Sequence, residues 1–266
     1  MPRYFLELSY KGARYSGFQT QQNALTIQSE TEKALAILAP EMPCLAGEAV
    51  KRTLQLTGSS RTDAGVHALQ NFFHFDSSVP VGEWRDINGE QQFLYKMNAI
   101  LPDDIVAKRL YLVKDDAHCR FDALARTYHY FLYREKDPFL KERAYYYPYE
   151  LDMSKLQEAA DIIKEYSDFT SFSKRNTQVK TFTCKIMESQ WVEEGKQVYY
   201  RVRANRFLRG MVRGLTGTML KVGRGKLSIN EFREIVEALD CTRASFAVPA
   251  GGLFLIQVEY PPFYFK

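Results

Sequence analysis

Two hydrophobic rhythms alternate along the chain. From residue 3 to 11, Tyr4, Leu6, Leu8 and Tyr10 recur at every second position, the period of a strand with an apolar face. Between 24 and 38 the spacing widens, and Ile27, Thr31, Ala34, Leu35 and Leu38 share one helical stripe. A strand is read at 50–57. The stretch 58–68, GSSRTDAGVHA, has no period and reads as a loop. A strand follows at 70–76. A helix at about 90–100 is marked by Phe93, Leu94 and Met97 and stopped by Pro102. A strand at 105–113 closes this half.

The order then returns. A strand at 126–134 carries aromatics on both faces, and Met153, Leu156, Ala160 and Ile163 mark a helix. Strands are read at 180–192 and 197–205, around a turn at 193–196. A helix covers about 207–222. Another starts at Ser228, with Glu231 completing a capping box and Phe232, Ile235, Val236 and Leu239 as its apolar stripe. The last strand is 251–260. Each half thus reads βαββαβ, the ferredoxin-like order, with one extra helix in the second. The expected fold is α+β, with domains 1–115, carrying the 58–68 loop, and 116–266, carrying the arginine-rich helix. Their sheets are expected to join side by side, mainly antiparallel, with a central cleft lined from both halves.

Composition adds little to this picture. The 266 residues are 45% hydrophobic and 26% charged, which supports a large core without metal or disulfide. Cys44, Cys119, Cys184 and Cys241 lie far apart with no CxxC pattern, as free thiols in a reducing compartment do. No apolar run approaches the roughly 18 residues of a membrane helix. The N-terminal MPRYFLELSYKG has charges within its apolar run and reads as no signal peptide, so a cytoplasmic location is expected.

Charge distribution says more than the net +4. Arg201, Arg203, Arg206, Arg209, Arg213, Lys221, Arg224 and Lys226 follow one another with no acidic residue between them. A one-sign run suits an anionic partner, phosphate above all. On the 207–222 helix, Arg206, Arg209 and Arg213 fall in one sector, and Gly210, Gly214 and Gly217 lie between it and the apolar stripe. Glycines there cost about 1 kcal/mol each relative to alanine, a sign of close approach by a backbone or ligand. Arg206 and Arg209 suit a solvated face as well as a phosphate contact. Arg213, beside the glycines, suits an inward role.

The 58–68 loop admits several readings. By composition it is a connector. It lacks the GxxxxGK[ST] of a phosphate cradle and the GxSxG of a hydrolase elbow. Asp63, His67 and His74 have no metal-ligand spacing. The remaining reading is a single ionised carboxylate, Asp63, kept charged by a guanidinium, either Arg61 or Arg213, and suited to a nucleophile or to stabilising an oxocarbenium-like sugar.

RTDAGVHA at 61–68 resembles the signature of the TruA family of tRNA pseudouridine synthases. The likeness continues through SYKGARYSGFQTQQNALTIQSETEKAL (9–35), NAILPDDI (98–105), HCRFDALARTYHYFLY (118–133), DFTSF (168–172), NRFLRGMVRGLTGTMLKVG (205–223) and VPAGGLFLIQVEYP (248–261). Lys11, Phe18 and the pair Ser59–Ser60 depart from the family's usual Asp, Trp and Ala-Gly. The resemblance implies a pseudouridine synthase fold that isomerises uridine on the 3′ side of the tRNA anticodon stem-loop by base flipping, without cofactor or metal, in a homodimer. It implies Asp63 as the catalytic aspartate, Tyr128 stacking on the uracil and assisting proton movement, and Arg213 keeping Asp63 ionised. Leu253 is then the apolar floor under the base, Arg61 holds the extruded uridine, and Arg206 and Arg209 contact the RNA backbone.

Overall fold

A computed structural model describes residues 1–40, 54–175, 179–195 and 197–265. Cys44, residues 50–53 of the expected second strand, and Lys196 of the expected turn lie outside the described residues. The chain forms two compact units, Met1–Leu124 with Val258–Lys266, and Ala125–Gln257.

In the first unit the strands are β1 (Arg3–Tyr10), β2 (Thr57–Gly58), β3 (His67–Asp76) and β4 (Ile105–Val113), with helices α1 (Ile27–Leu38) and α2 (Glu90–Ile100). Their order is β4-β1-β3-β2, antiparallel at each pairing. Helix α1 begins where Thr26 accepts the Ser29 N–H and Ser29 accepts the Thr26 N–H in return. The alternation seen in the sequence marks one buried face of β1. The other is buried too, because the C-terminal aromatics cover it. Phe265 stacks on Phe72 at 5.5 Å and 13°, and Tyr260 meets Phe5 edge-on at 5.6 Å. Fully burying such rings stabilises by about 1.5–3 kcal/mol each.

The second unit contains β5 (Ala125–Tyr133), β6 (Tyr145–Tyr146), β7 (Ile186–Glu194), β8 (Gln197–Ala204) and all but the last two residues of β9 (Leu253–Glu259), with helices α3 (Met153–Ile162), α4 (Met211–Gly223) and α5 (Ile229–Glu237). The order here is β9-β5-β8-β7, with β6 paired parallel to β5. Ser228 caps α5 and forms the expected box with Glu231. Residues 180–185 are not strand; Thr183 makes only a single bridge to Asp168. Helix α4 begins at Met211 rather than 207, because Gly210 adopts φ +74° and breaks the helical path. Arg206 and Arg209 therefore sit in the turn before the helix, not on it. Cys119, Cys184 and Cys241 are free thiols. No helix among the described residues is long and apolar enough to cross a membrane.

Candidate functional site

Residues 58–68 are held by a second stretch of the same unit, residues 10–18. The Tyr10 hydroxyl and Thr62 Oγ1 lie 2.8 Å apart. The Asn71 side-chain amide donates to Tyr10 Oη at 3.0 Å and to the Ser60 carbonyl at 3.1 Å, while Ser59 Oγ donates to Asn71 Oδ1 at 2.7 Å. The Phe18 N–H donates to the Thr62 carbonyl at 3.0 Å, and the Val66 N–H closes a turn on the Asp63 carbonyl at 3.1 Å. Ser59, Ser60 and Thr62 are buried, whereas Asp63 is half-buried and Arg61 exposed. The alternation of buried anchors with accessible functional groups makes this a fixed backbone presenting Arg61 and Asp63, and not a loose connector.

The small residues have a steric cause as well. A Cβ on Gly12 would lie 2.0 Å from the Val66 carbonyl oxygen. We expect Gly12→Ala to destabilise the protein by about 1–3 kcal/mol, as overpacking does, and to lower kcat by moving the 62–66 backbone. Thermal melting and turnover on the same preparation check this; an unchanged melting point would mean the two segments are not so tightly joined. Gly17, at φ +103°, lies over the Thr62 carbonyl in the same way.

His67 is buried, and its Nδ1 accepts the Gly12 N–H at 3.1 Å. This makes it a brace. His74, His118 and Cys119 bring potential ligand atoms within 4.8 Å of one another, a grouping that the sequence spacing does not suggest. These groups bond to one another and to the backbone. The Cys119 N–H donates to His74 Nδ1 at 3.3 Å, and the Cys119 thiol donates to the Thr57 carbonyl at 3.0 Å. Burial, with His118 and Arg3 adding to it, lowers the His74 pKa to about 4. Burial and then Arg201 lower His129 to about 4 as well. Both imidazoles are neutral in the fold, while the unfolded chain takes up their protons near pH 6.5. Stability is therefore full above about pH 6.5 and is lost as pH falls towards 4. We expect the melting temperature to drop across that window, and the drop to be shallower in His74→Gln. An equal slope in both proteins would count against a neutral buried His74.

In the second unit, Tyr128 lies on β5 opposite Val202, with its ring edge-on to Phe207 at 5.0 Å. Phe207 belongs to the same turn as Arg206 and Arg209. Arg206 Nη1 donates to Thr181 Oγ1 at 3.3 Å, and the Arg209 carbonyl accepts the Lys174 N–H at 3.0 Å. The glycines of α4 admit a neighbouring backbone, as their cost suggested. Cβ atoms on Gly217 and Gly214 would lie 2.3 Å from the Ser245 carbonyl and 2.8 Å from the Phe246 ring. Arg213, half-buried beside them, clasps this same segment through Nε and Nη2, which donate to the Val248 carbonyl at 2.9 and 2.8 Å. The Tyr130 hydroxyl holds the next residue, donating to the Pro249 carbonyl at 2.6 Å. The segment then reaches Leu253, buried at the start of β9. Tyr128, Arg213 and Leu253 are thus tied together through β5 and residues 245–253.

The one-sign run does not act as a unit. Arg201 and Arg203, on β8, reach Glu188 of β7 at 3.0 and 3.8 Å. Arg224 lies 3.6 Å from the centre of the Tyr149 ring. Arg209, Lys221 and Lys226 are exposed. Tyr10, Gly12, Gly17, Asn71 and Val248 are positioning residues that the sequence pattern leaves unmarked. The closely spaced glycines of residues 10–18 were the one available signal.

A family model for tRNA pseudouridine synthase matches residues 166–261. The chain is 43% identical over 262 residues to tRNA pseudouridine synthase A of Parabacteroides distasonis, covering 98% of this chain and 97% of that one. It is 43% identical over 260 residues to the Bacteroides fragilis protein of the same name, covering 97% and 96%. With tRNA pseudouridine synthase A of Bacillus subtilis it shares 37% identity over 257 residues, covering 95% and 97%.

Proposed function

The chain belongs to the TruA family of tRNA pseudouridine synthases, and from that membership we propose that it isomerises uridine to pseudouridine in the anticodon stem-loop of tRNA. The reaction breaks the N1–C1′ bond, turns the uracil, and joins C5 to C1′. C5 gives up its proton and N1 gains one, so the atoms balance without oxidant, reductant or water. The observation that carries the reading is near-full-length identity to synthases, together with the clamped loop that presents Asp63.

Asp63 serves as the catalytic carboxylate, attacking sugar or base. Tyr128 stacks on the uracil and assists proton movement. Arg213 keeps the aspartate ionised, and Leu253 forms the floor under the base. Extrusion of a paired uridine costs a few kcal/mol, and aromatic stacking returns about 1–3 kcal/mol per base. Arg61 holds the extruded nucleotide, and Arg206 and Arg209 contact phosphates. The 4-1-3-2 strand order repeated in both units supports a ferredoxin-like arrangement for each half. We also take the protein to be a cytoplasmic homodimer that holds tRNA across both subunits, on family grounds.

Unmodified tRNA tritiated at uridine C5 tests the reading. The synthase releases tritium and leaves pseudouridine in the anticodon stem-loop, at an undiminished rate in EDTA. A protein that binds this tRNA and releases none is an RNA-binding module. Loss of release in EDTA would reveal a metal requirement.

A further inference from the structure

The motif HCRFDA at 118–123 is not accounted for by the roles assigned so far. Its backbone is fixed from within. His118 Nδ1 accepts the N–H groups of Arg120 and Phe121 at 3.2 and 3.4 Å, and the His118 N–H donates to Asp122 Oδ2 at 2.7 Å. The Tyr264 hydroxyl donates to the same carboxylate oxygen. This turn holds Phe121 with 73% of its surface exposed. Its ring lies 4.2 Å from that of His118, and the Arg120 guanidinium stands 5.7 Å from its centre.

These residues border a pocket of about 230 Å³, lined also by Phe18, Gln19 and Arg61 and by the backbone entering the 58–68 loop. Among the described residues, no carboxylate lines it. Arg61 has no hydrogen-bond or ion-pair partner among the described residues. The pocket is thus small, cationic and edged by an aromatic ring. Its ligand should combine one planar ring with one anionic group, which is the chemistry of a nucleotide.

We propose that this pocket is an RNA subsite for the nucleotide adjoining the target uridine, with its base on Phe121 and its phosphate between Arg61 and Arg120. The inference rests on the synthase reading, since Arg61 is two positions from Asp63 and one strand would serve both. In this role the HCRFDA turn fixes the register of the strand, so that the uridine beside the held nucleotide is the one placed at Asp63.

The probe is an anticodon stem-loop RNA carrying 2-aminopurine immediately 5′ or 3′ of the target uridine, bound by an Asp63→Asn protein that holds the complex. One of the two labels is expected to be quenched on binding. With Phe121→Ala added, that quench should vanish and affinity should fall by about 10-fold to 100-fold. Phe121→Trp should keep the quench, which separates stacking from any loss of fold. Arg120→Ala should reduce the slope of log affinity against log salt by about one. The subsite is overturned if neither label responds to Phe121→Ala and affinity stays within about 2-fold. Tritium release by the otherwise unaltered enzyme on unlabelled RNA is read in parallel. Normal release with no response at either label removes the subsite alone, whereas no release removes the synthase reading.

Discussion

Asp63→Asn is expected to lower tritium release by at least about 10⁴-fold, the scale on which removal of a single essential reacting group acts, while tRNA binding changes by no more than a few-fold. The geometry makes the experiment clean. The loop is fixed by its neighbours and not by the aspartate side chain alone. Thr62 is held through its hydroxyl by Tyr10 and through its carbonyl by Phe18, and the turn over Asp63 closes on its backbone oxygen. Asparagine has almost the same shape, so these braces stay. What disappears is the negative charge and the nucleophilic oxygen. Binding should persist because phosphate contacts come from cations elsewhere. A variant that still converts uridine at the normal rate would refute the assignment of Asp63. One that loses tRNA binding to the same degree as turnover would show that the carboxylate orders the loop instead.

What could be read from the sequence divides along the distance between partners. The Ser228–Glu231 capping box was legible because its parts are three residues apart. The stripes of α1, α2 and α5 were legible because periodicity is local, except for Leu239 of the expected α5 stripe, which lies past the helix end at φ +50° and is exposed. Helix α4 was read four residues too early, since a left-handed Gly210 inside an otherwise helical pattern leaves no mark on the spacing. Glu188 is a register partner of Arg203, and no reading of the run 201–226 alone can show that an adjacent strand supplies its counter-charge. The 58–68 loop shows the same limit. Its composition said connector and its family resemblance said active site. The reason the backbone can be both small and rigid lies in Tyr10, 52 residues from Thr62, and in Gly12, 55 residues from His67.

Arg213 is the residue whose expected behaviour the structure alters most. As a charge partner for Asp63 it should tolerate lysine better than alanine. The guanidinium, however, commits Nε and Nη2 to one acceptor, the Val248 carbonyl, at 2.9 and 2.8 Å. That fork fixes the plane of the group, and an ammonium on a flexible stem cannot reproduce it. We therefore expect Arg213→Lys to lower kcat by about 10²-fold or more, close to the loss in Arg213→Ala, with a much smaller change in tRNA affinity; misplacement of about 1 Å has an effect of this size. Both substitutions weaken a hold on the 245–248 segment, which α4 accommodates only through Gly214 and Gly217. A loss of about 1–3 kcal/mol of stability is expected from the carbonyl left without its donors. Turnover should accordingly be compared well below the melting points of all three proteins, under single-turnover conditions with enzyme in excess. If lysine then restores most of the rate that alanine loses, positive charge alone is the requirement. If the two fall together, the clasp on Val248 sets the direction from which the guanidinium acts.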